Sequence, residues 1–210
     1  MRRALRAAMI CGLLSPASLL AQDPDFVARL DERTTQIVVP ILEDAARDSL
    51  PMRALESKVL EGLTKRVPAE RLGPVVAQLA GEFRAVRGSL RGLIPGVPLS
   101  DPEVVASARA VREGVTVELI ADVLGERGPE QALDVPITVL GELVRRGVPA
   151  DAAALVIGHV IQSGIPVDVA ARIPGTLDGA LGRGGTPGAA LTEALQTLDI
   201  PTPRRRGPGR

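Results

Sequence analysis

The chain has 210 residues, of which 45% are apolar and 24% are charged, a balance typical of one folded domain and not of a disordered chain. It contains no Trp, Tyr or Asn, and its only aromatic residues are Phe26 and Phe83, which excludes aromatic platforms for sugars or bases and asparagine glycosylation. The formal net charge is zero, but residues 22–200 hold 18 basic and 25 acidic side chains, so the body of the chain is acidic.

Residues 1–21 have the three parts of a secretory signal peptide. Three arginines in the first six residues form a positive start, an apolar run covers residues 7–14, and a short polar-apolar segment ends at Ala21. The run is too short to cross a bilayer, so we expect cleavage after Ala21, with an uncleaved helical anchor as the alternative. Cleavage would also remove Cys11, the single cysteine, and with it any thiol chemistry. We therefore expect a secreted protein, periplasmic rather than extracellular.

Residues 22–200 are rich in helix-forming residues, and no stretch has the period-two alternation of a strand. We predict a single all-α domain over residues 22–200, an array of about eight or nine short antiparallel helices. The predicted helices are 24–48, 51–66, 68–90, 101–113, 115–127, 129–146, 149–163, 166–182 and 187–199. Residues 201–210 are predicted to be a disordered basic tail.

Internal signals refine this prediction. Ser100 and Glu103 have the spacing of a capping box at a helix start, and residues 90–99 are rich in glycine and proline, which is typical of a loop. Three prolines fall inside helical patterns, where a missing N–H predicts a kink or a break: Pro74, Pro136 and Pro174.

Proline recurs at the predicted corners between helices, together with glycine in four of the five. The corners are residues 66–70, 146–151 and 163–168, with looser copies at 128–131 and 185–187. At the second corner, Gly147 can adopt the left-handed conformation that ends a helix, and Pro149 suits the first position of the next. Asp151 then faces the positive end of that helix dipole. The pattern indicates tight turns between successive helices.

The spacing of these corners leaves two architectures open. The prolines at 129, 149, 166 and 187 are far enough apart for one helix each, and helix pairs span 37 and 38 residues. This period is typical of solenoids built from helix pairs, but prolines further upstream do not keep the register. The sequence therefore predicts either a short solenoid-like stack or an irregular helical bundle.

His159 is the only histidine and thus the first candidate for a catalytic base or metal ligand. On a helical wheel it lies away from the apolar stripe of its helix, on the same outer face as Asp151 and Gln162. Its neighbours one turn away are Leu155 and Ser163, so no second ligand is local. We interpret it as an ordinary surface histidine.

Three acidic residues spaced four apart share one helix face: Glu118, Asp122 and Glu126. Apolar residues occupy the opposite side, so we interpret the acids as a solvated face and not as a cation site.

Two glycine-rich segments resemble catalytic loops without their essential residues. Residues 179–186 have the glycine spacing of a phosphate-binding loop, but Gly185 stands where the lysine belongs, which favours a corner before a helix. In residues 88–92 the serine lies one position early for a nucleophile elbow.

Two surfaces remain as candidates for function. Residues 147–200 carry 7 charges in 54 positions, against 31 in the 106 positions of residues 22–127, so their outer faces are weakly polar and suited to a partner, a second copy or an apolar ligand. The tail offers four arginines that could contact an anionic surface such as lipid: Arg204, Arg205, Arg206 and Arg210.

The sequence thus favours a secreted, non-catalytic α-helical module that acts structurally or by binding an unknown protein partner or another copy through residues 147–200. A helical carrier for a lipid or other apolar ligand is the alternative, and an enzyme is the least favoured class. No cofactor, metal or nucleic acid is expected.

Overall fold

A computed structural model of the chain describes residues 26–128 and 131–202. Over these ranges the chain is all-helical and contains no strand, which confirms the predicted fold class. The helices are α1 (Glu32–Arg47), α2 (Met52–Thr64), α3 (Ala69–Leu93), α4 (Asp101–Arg112), α5 (Val117–Gly125), α6 (Asp134–Arg145), α7 (Ala150–Gln162), α8 (Val167–Ala170), α9 (Ile173–Gly182) and α10 (Pro187–Thr197). None of the helices in these ranges is both long and apolar enough to cross a membrane.

Helix α1 begins later than its sequence pattern predicts. Asp31 adopts an extended backbone, and its side chain accepts a hydrogen bond from the Thr34 N–H at 2.8 Å, which caps the helix at this point. Before it, a 3₁₀ turn over Val27–Arg29 follows the buried Phe26. The prediction that residues 26–31 belong to the helix is therefore wrong, because the Asp31 cap provides a start signal that competes with the apolar pattern.

The internal prolines act differently according to their place in a helix. Pro174 divides the predicted 166–182 segment into α8 and α9, since a proline ring collides with the carbonyl four residues earlier, that of Ala170, the last residue of α8. Pro136 lies in the first turn of α6, where no intrahelical donor is needed, so that helix begins at Asp134 and not at 129. Helix α3 runs unbroken through Pro74 as far as Leu93, which shortens the predicted 90–99 loop.

Within the described ranges, six helix ends share one hydrogen-bonded closure. In each, a residue with positive φ is followed by an apolar residue whose N–H donates to the carbonyl five positions back, as Val148 donates to Leu143 at 3.1 Å. The apolar residues and their acceptors are Leu50 with Ala45, Val67 with Gly62, Val115 with Ala110, Val148 with Leu143, Ile165 with Val160 and Ile200 with Leu195. The predicted corners at 66–70, 146–151 and 163–168 are three of these six.

Proline follows the closure in five of the six cases. Before α7 and α8 this proline precedes the first helical residue, whereas the sequence predicts it at the first helical position. Pro149 has φ −54° and ψ 135°, an extended conformation, so it is the residue before α7 and not its first member. Pro166 takes the same place before α8. Thr116 replaces proline at the sixth corner and caps α5 through its hydroxyl, which accepts from the Leu119 N–H.

The chain divides into two compact units, Met1–Val76 and Ala77–Arg210. In the first unit α1 packs on α2. The start of α3 approaches both helices closely: a Cβ on Gly73 would collide with Ile37 Cγ2, and a Cβ on Gly62 would lie 2.5 Å from Leu72 Cδ1. Glycine at these two positions allows the approach. The prediction of a single domain over 22–200 stays a prediction.

In the second unit, helices contact the next helix but one as well as their sequence neighbours. Helix α4 packs on α6, α6 on α8 and α9, and α5 on α7, while α6 and α7 pack together and so do α9 and α10. The first helices of successive pairs begin at Asp101, Asp134 and Val167, which are 33 residues apart. This is the packing order of stacked helix pairs. Of the two architectures that the sequence left open, the second unit therefore has the solenoid-like stack and not the irregular bundle.

Gly141 makes the contact between α4 and α6 close. A Cβ at this position would lie 3.0 Å from Cα of Ala110 and 3.3 Å from its Cβ, so the helices touch backbone to backbone. Gly158, in the middle of α7, has no atom within 4 Å of the corresponding point.

Glu103 fastens the start of α4 to the segment that leads into α6. Its carboxylate is buried and accepts from the Ser100 N–H at 2.9 Å, from Arg127 Nη2 at 2.6 Å and from the Leu133 N–H at 3.1 Å. The first of these bonds completes the predicted capping box. Burial raises the pKa of Glu103, but the bonds from Ser100, Arg127 and Leu133 outweigh it, so the pKa is lowered from 4.5.

Gly141→Ala is expected to destabilise the chain although alanine is the better helix former, because the added methyl group has no room against Ala110. Gly158→Ala is the matched control and is expected to raise stability by up to about 1 kcal/mol. Urea unfolding should place the two variants at least about 1 kcal/mol apart. Equal stability of the two variants would show that α4 and α6 are not in close contact.

Glu103→Gln is expected to cost about 2–4 kcal/mol at neutral pH, because it leaves Arg127 without its buried anion. A carboxyl with a lowered pKa stabilises the fold above pH 4.5, and this contribution is lost as the pH falls through the folded-state value. The difference from wild type should therefore shrink in acid, as measured by chemical unfolding at several pH values. Glu118→Gln, on the exposed side of α5, should stay within about 0.5 kcal/mol; a pH-independent difference for Glu103→Gln would contradict the assignment.

Candidate functional site

A groove of about 420 Å³ lies between α5 and α7 in the second unit. From α5 and its end it is lined by Leu119, Asp122, Val123 and Glu126. From α7 it is lined by Asp151, Ala154, Leu155, Gly158, His159 and Gln162. Apolar side chains and carboxylates thus share one concave surface.

The helical period places these residues side by side. On α5, positions 119, 122, 123 and 126 form one ridge, since residues three and four apart lie on the same face. The adjacent ridge, which includes Ile120 and Leu124, is fully buried in the core. The groove is therefore lined by the residues of both helices that lie at the edge of their buried faces, where the surface opens to solvent.

Small residues on α7 open the space between the helices. Ala154 and Gly158 project little or no side chain, and a Cβ on Gly158 would meet nothing within 4 Å. Leu155 lies beside them and is 43% exposed. Few large apolar side chains in the described ranges are as exposed as this. A leucine exposed beside a concave apolar strip is suited to packing against another molecule.

His159 is half-buried in the groove wall. Its neighbour on the next turn is Ser163, whose Oγ lies 3.5 Å from both Nδ1 and Nε2, at the outer limit of a hydrogen bond. Leu155 and Gln162 line the groove with it, as does Asp151 two turns away on α7. The structure therefore places the predicted outer face of α7 against α5.

The predicted acidic face of α5 is exposed at Glu118, Asp122 and Glu126. Asp122 and Glu126 also line the groove, and Gln162 Nε2 donates to Glu126 Oε2 at 2.5 Å across it. In the ranges that the structure covers, no group of three or more His, Cys, Asp or Glu side chains is arranged to hold a metal ion.

In the other layer of the second unit, ion pairs join successive helices. Glu142 on α6 pairs with Arg109 of α4 at 2.5 Å and also with Arg146. Arg146 continues the series by pairing with Asp178 of α9, through Nε to Oδ1 at 2.6 Å and Nη2 to Oδ2 at 2.9 Å. These ion pairs link α4, α6 and α9 in sequence.

The pairing holds these carboxyls in their charged form. The hydrogen bonds from Arg145 and Arg146 lower the pKa of Glu142, and the bond from Arg146 lowers that of Asp178. This network was not predicted from the sequence. The Glu142 and Arg146 spacing of four was its only local signal, since Arg109 and Asp178 are brought in by the stacking of the helices.

Neither glycine-rich segment forms a catalytic loop. In residues 179–186, Gly184 has a φ of 89° and ends the turn after α9, and Thr186 caps α10 by accepting from the Ala189 N–H. This corner before a helix is the predicted one. Residues 88–92 lie inside α3, so Ser89 is not at a strand-to-helix turn.

The predicted signal peptide and the predicted basic tail lie mostly outside the residues that the structure describes. The predicted signal peptide, residues 1–21, lies outside the described ranges, and so do Arg204, Arg205, Arg206 and Arg210 of the predicted tail. The first two residues of the predicted tail, Pro201 and Thr202, are exposed.

Comparison of the chain with protein-family models, with curated proteins and with solved structures gave no match.

Proposed function

We propose that this chain is a secreted, periplasmic and non-catalytic α-helical module that binds a protein partner through the weakly charged surface of residues 147–200. We place the centre of this surface at the α5–α7 groove, to which α7 contributes six residues. The second candidate occupant of the surface is another copy of the chain.

The groove is the observation that carries this proposal. It combines the exposed Leu155 and the small residues Ala154 and Gly158 with a rim of carboxylates. Protein interfaces have this composition, with an apolar centre that excludes water and a polar rim that sets orientation. Stacked helix pairs also provide the extended rigid surface that repeat proteins use to bind partners.

A carrier of small apolar ligands is the second candidate function. The groove volume of about 420 Å³ lies within the range of small-molecule sites, roughly 300–1,000 Å³. The carboxylates on its rim favour a polar or cationic partner over a lipid tail. Native mass spectrometry of the purified chain separates the two functions, because a carrier retains a stoichiometric small molecule.

Leu155→Asp is expected to abolish partner binding with little effect on folding, because it places a charge at the apolar centre of the groove on a side chain that is already 43% exposed. Val75→Asp is the matched control, since Val75 lies outside the groove and is 44% exposed on α3. The measurement is mild crosslinking of tagged chain in its native cell envelope, followed by mass spectrometry. Equal recovery of the same proteins with both variants would contradict the proposal.

Export of the chain is tested separately by the mass of its mature form. We expect the chain isolated from the cell envelope to begin at Gln22, because cleavage after Ala21 removes the predicted signal peptide. Top-down mass spectrometry measures this directly. A chain that begins at Met1 and is recovered from the cytoplasm would contradict the secretory assignment.

A further inference from the structure

The carboxylates of the α5–α7 groove lack cationic partners within the described part of the chain. Asp122 and Asp151 take part in none of the ion pairs there, and Glu126 accepts only from the neutral amide of Gln162. Neither α5 nor α7 contains a lysine or an arginine. The groove is therefore a concave surface with a fixed negative charge and an apolar floor.

This differs from the layer formed by α4, α6 and α9, where Glu142 and Asp178 each pair with arginine. Unpaired carboxylates close together repel one another, and an arriving cation relieves that repulsion. An arginine fits such a site better than a lysine, because its planar guanidinium pairs with carboxylates and its aliphatic stem packs on apolar side chains such as Leu155.

The chain itself contains a segment of complementary charge. Residues 201–210 hold four arginines and no acidic residue. The segment continues the chain from Thr202, the last described residue after α10. Eight further residues extend up to about 28 Å, which exceeds the roughly 20 Å length of the 13-residue α7.

We propose that the α5–α7 groove binds the arginine-rich segment 203–210 of this chain, with its guanidinium groups paired to Asp122, Glu126 and Asp151. Charge complementarity and the length of the segment carry this assignment. It rests on the proposed function in that both use the same groove, so the segment competes there with the protein partner.

A peptide with the sequence of residues 201–210 tests the contact. It is titrated by fluorescence anisotropy into the full chain carrying Arg204→Gln, Arg205→Gln, Arg206→Gln and Arg210→Gln, which leaves the groove free of its own arginines. Binding is expected at low ionic strength and should weaken as salt is added. Adding Asp122→Asn, Glu126→Gln and Asp151→Asn is expected to weaken it at least about tenfold.

The matched control removes the same number of negative charges at residues that do not line the groove. Glu32→Gln, Glu43→Gln and Glu113→Gln together should leave peptide binding unchanged within about twofold, because none of these residues lines the groove. Binding that depends on net charge alone would instead weaken equally in both sets of variants. Thermal melts of all variants confirm that they fold. Equal loss of binding in the two sets would overturn the proposal.

The intact chain provides a second readout through His159, the single histidine and a groove residue. Its ring signals in NMR spectra should differ between wild type and the four-arginine variant and should return on addition of the peptide. Persistence of the difference on dilution indicates the chain's own segment, and its loss on dilution indicates the segment of a second copy; both support the contact. Identical ring signals would overturn it.

The remaining outcomes separate this inference from the others. Binding of the peptide to phosphatidylglycerol vesicles but not to the chain would overturn the groove contact and assign the arginines to a membrane surface. Partner recovery that depends on Leu155 without peptide binding would overturn this inference alone. Peptide binding without any partner that depends on Leu155 would leave the groove contact standing and overturn the proposed function.

Discussion

At six helix ends of the described ranges, a left-handed residue determines how far the chain travels before it turns back. At Gly114, Gly147 and Gly164 the positive φ allows the following N–H to reach the carbonyl five positions earlier, and the apolar residue that carries this N–H turns toward the protein interior. An extended proline or threonine then starts the next helix. Within the second unit the closures at Val115, Val148, Ile165 and Ile200 lie 33, 17 and 35 residues apart, so the chain turns back at intervals of about one or two helices and the helices stack in pairs.

The stack gives its two layers different electrostatic roles. The layer of α4, α6 and α9 carries arginines and carboxylates that pair from one helix to the next. The α5 and α7 layer has carboxylates without basic residues and small side chains where the helices meet. A surface of this kind keeps its binding capacity for another molecule, and this physical difference is the reason to centre the proposed function on the groove.

Much of the fold was predictable because its signals are local. The capping box at Ser100 and Glu103, the glycine corners and the apolar stripes depend on residues within one or two turns, and they gave most helix bounds within a few residues. The errors arose where two local signals compete, as at the Asp31 cap within an apolar pattern. The corners at Ser49 and Asp199 resemble the predicted corner at Arg66, since in all three a left-handed residue other than glycine is followed by an apolar residue and proline.

By itself the sequence determined the all-α class, the corner chemistry and the exposed acidic face of α5, since each follows from residues close together along the chain. Only the tertiary structure decided that α5 lies against α7, which brings Glu126 to Gln162 and makes the outer face of His159 the wall of a groove. It also decided the stacking of pairs with a 33-residue period. Helical periodicity specifies which face of a helix is apolar. Which other helix packs beside the edge of that face depends on the simultaneous packing of many side chains, so it is decided only in the tertiary structure.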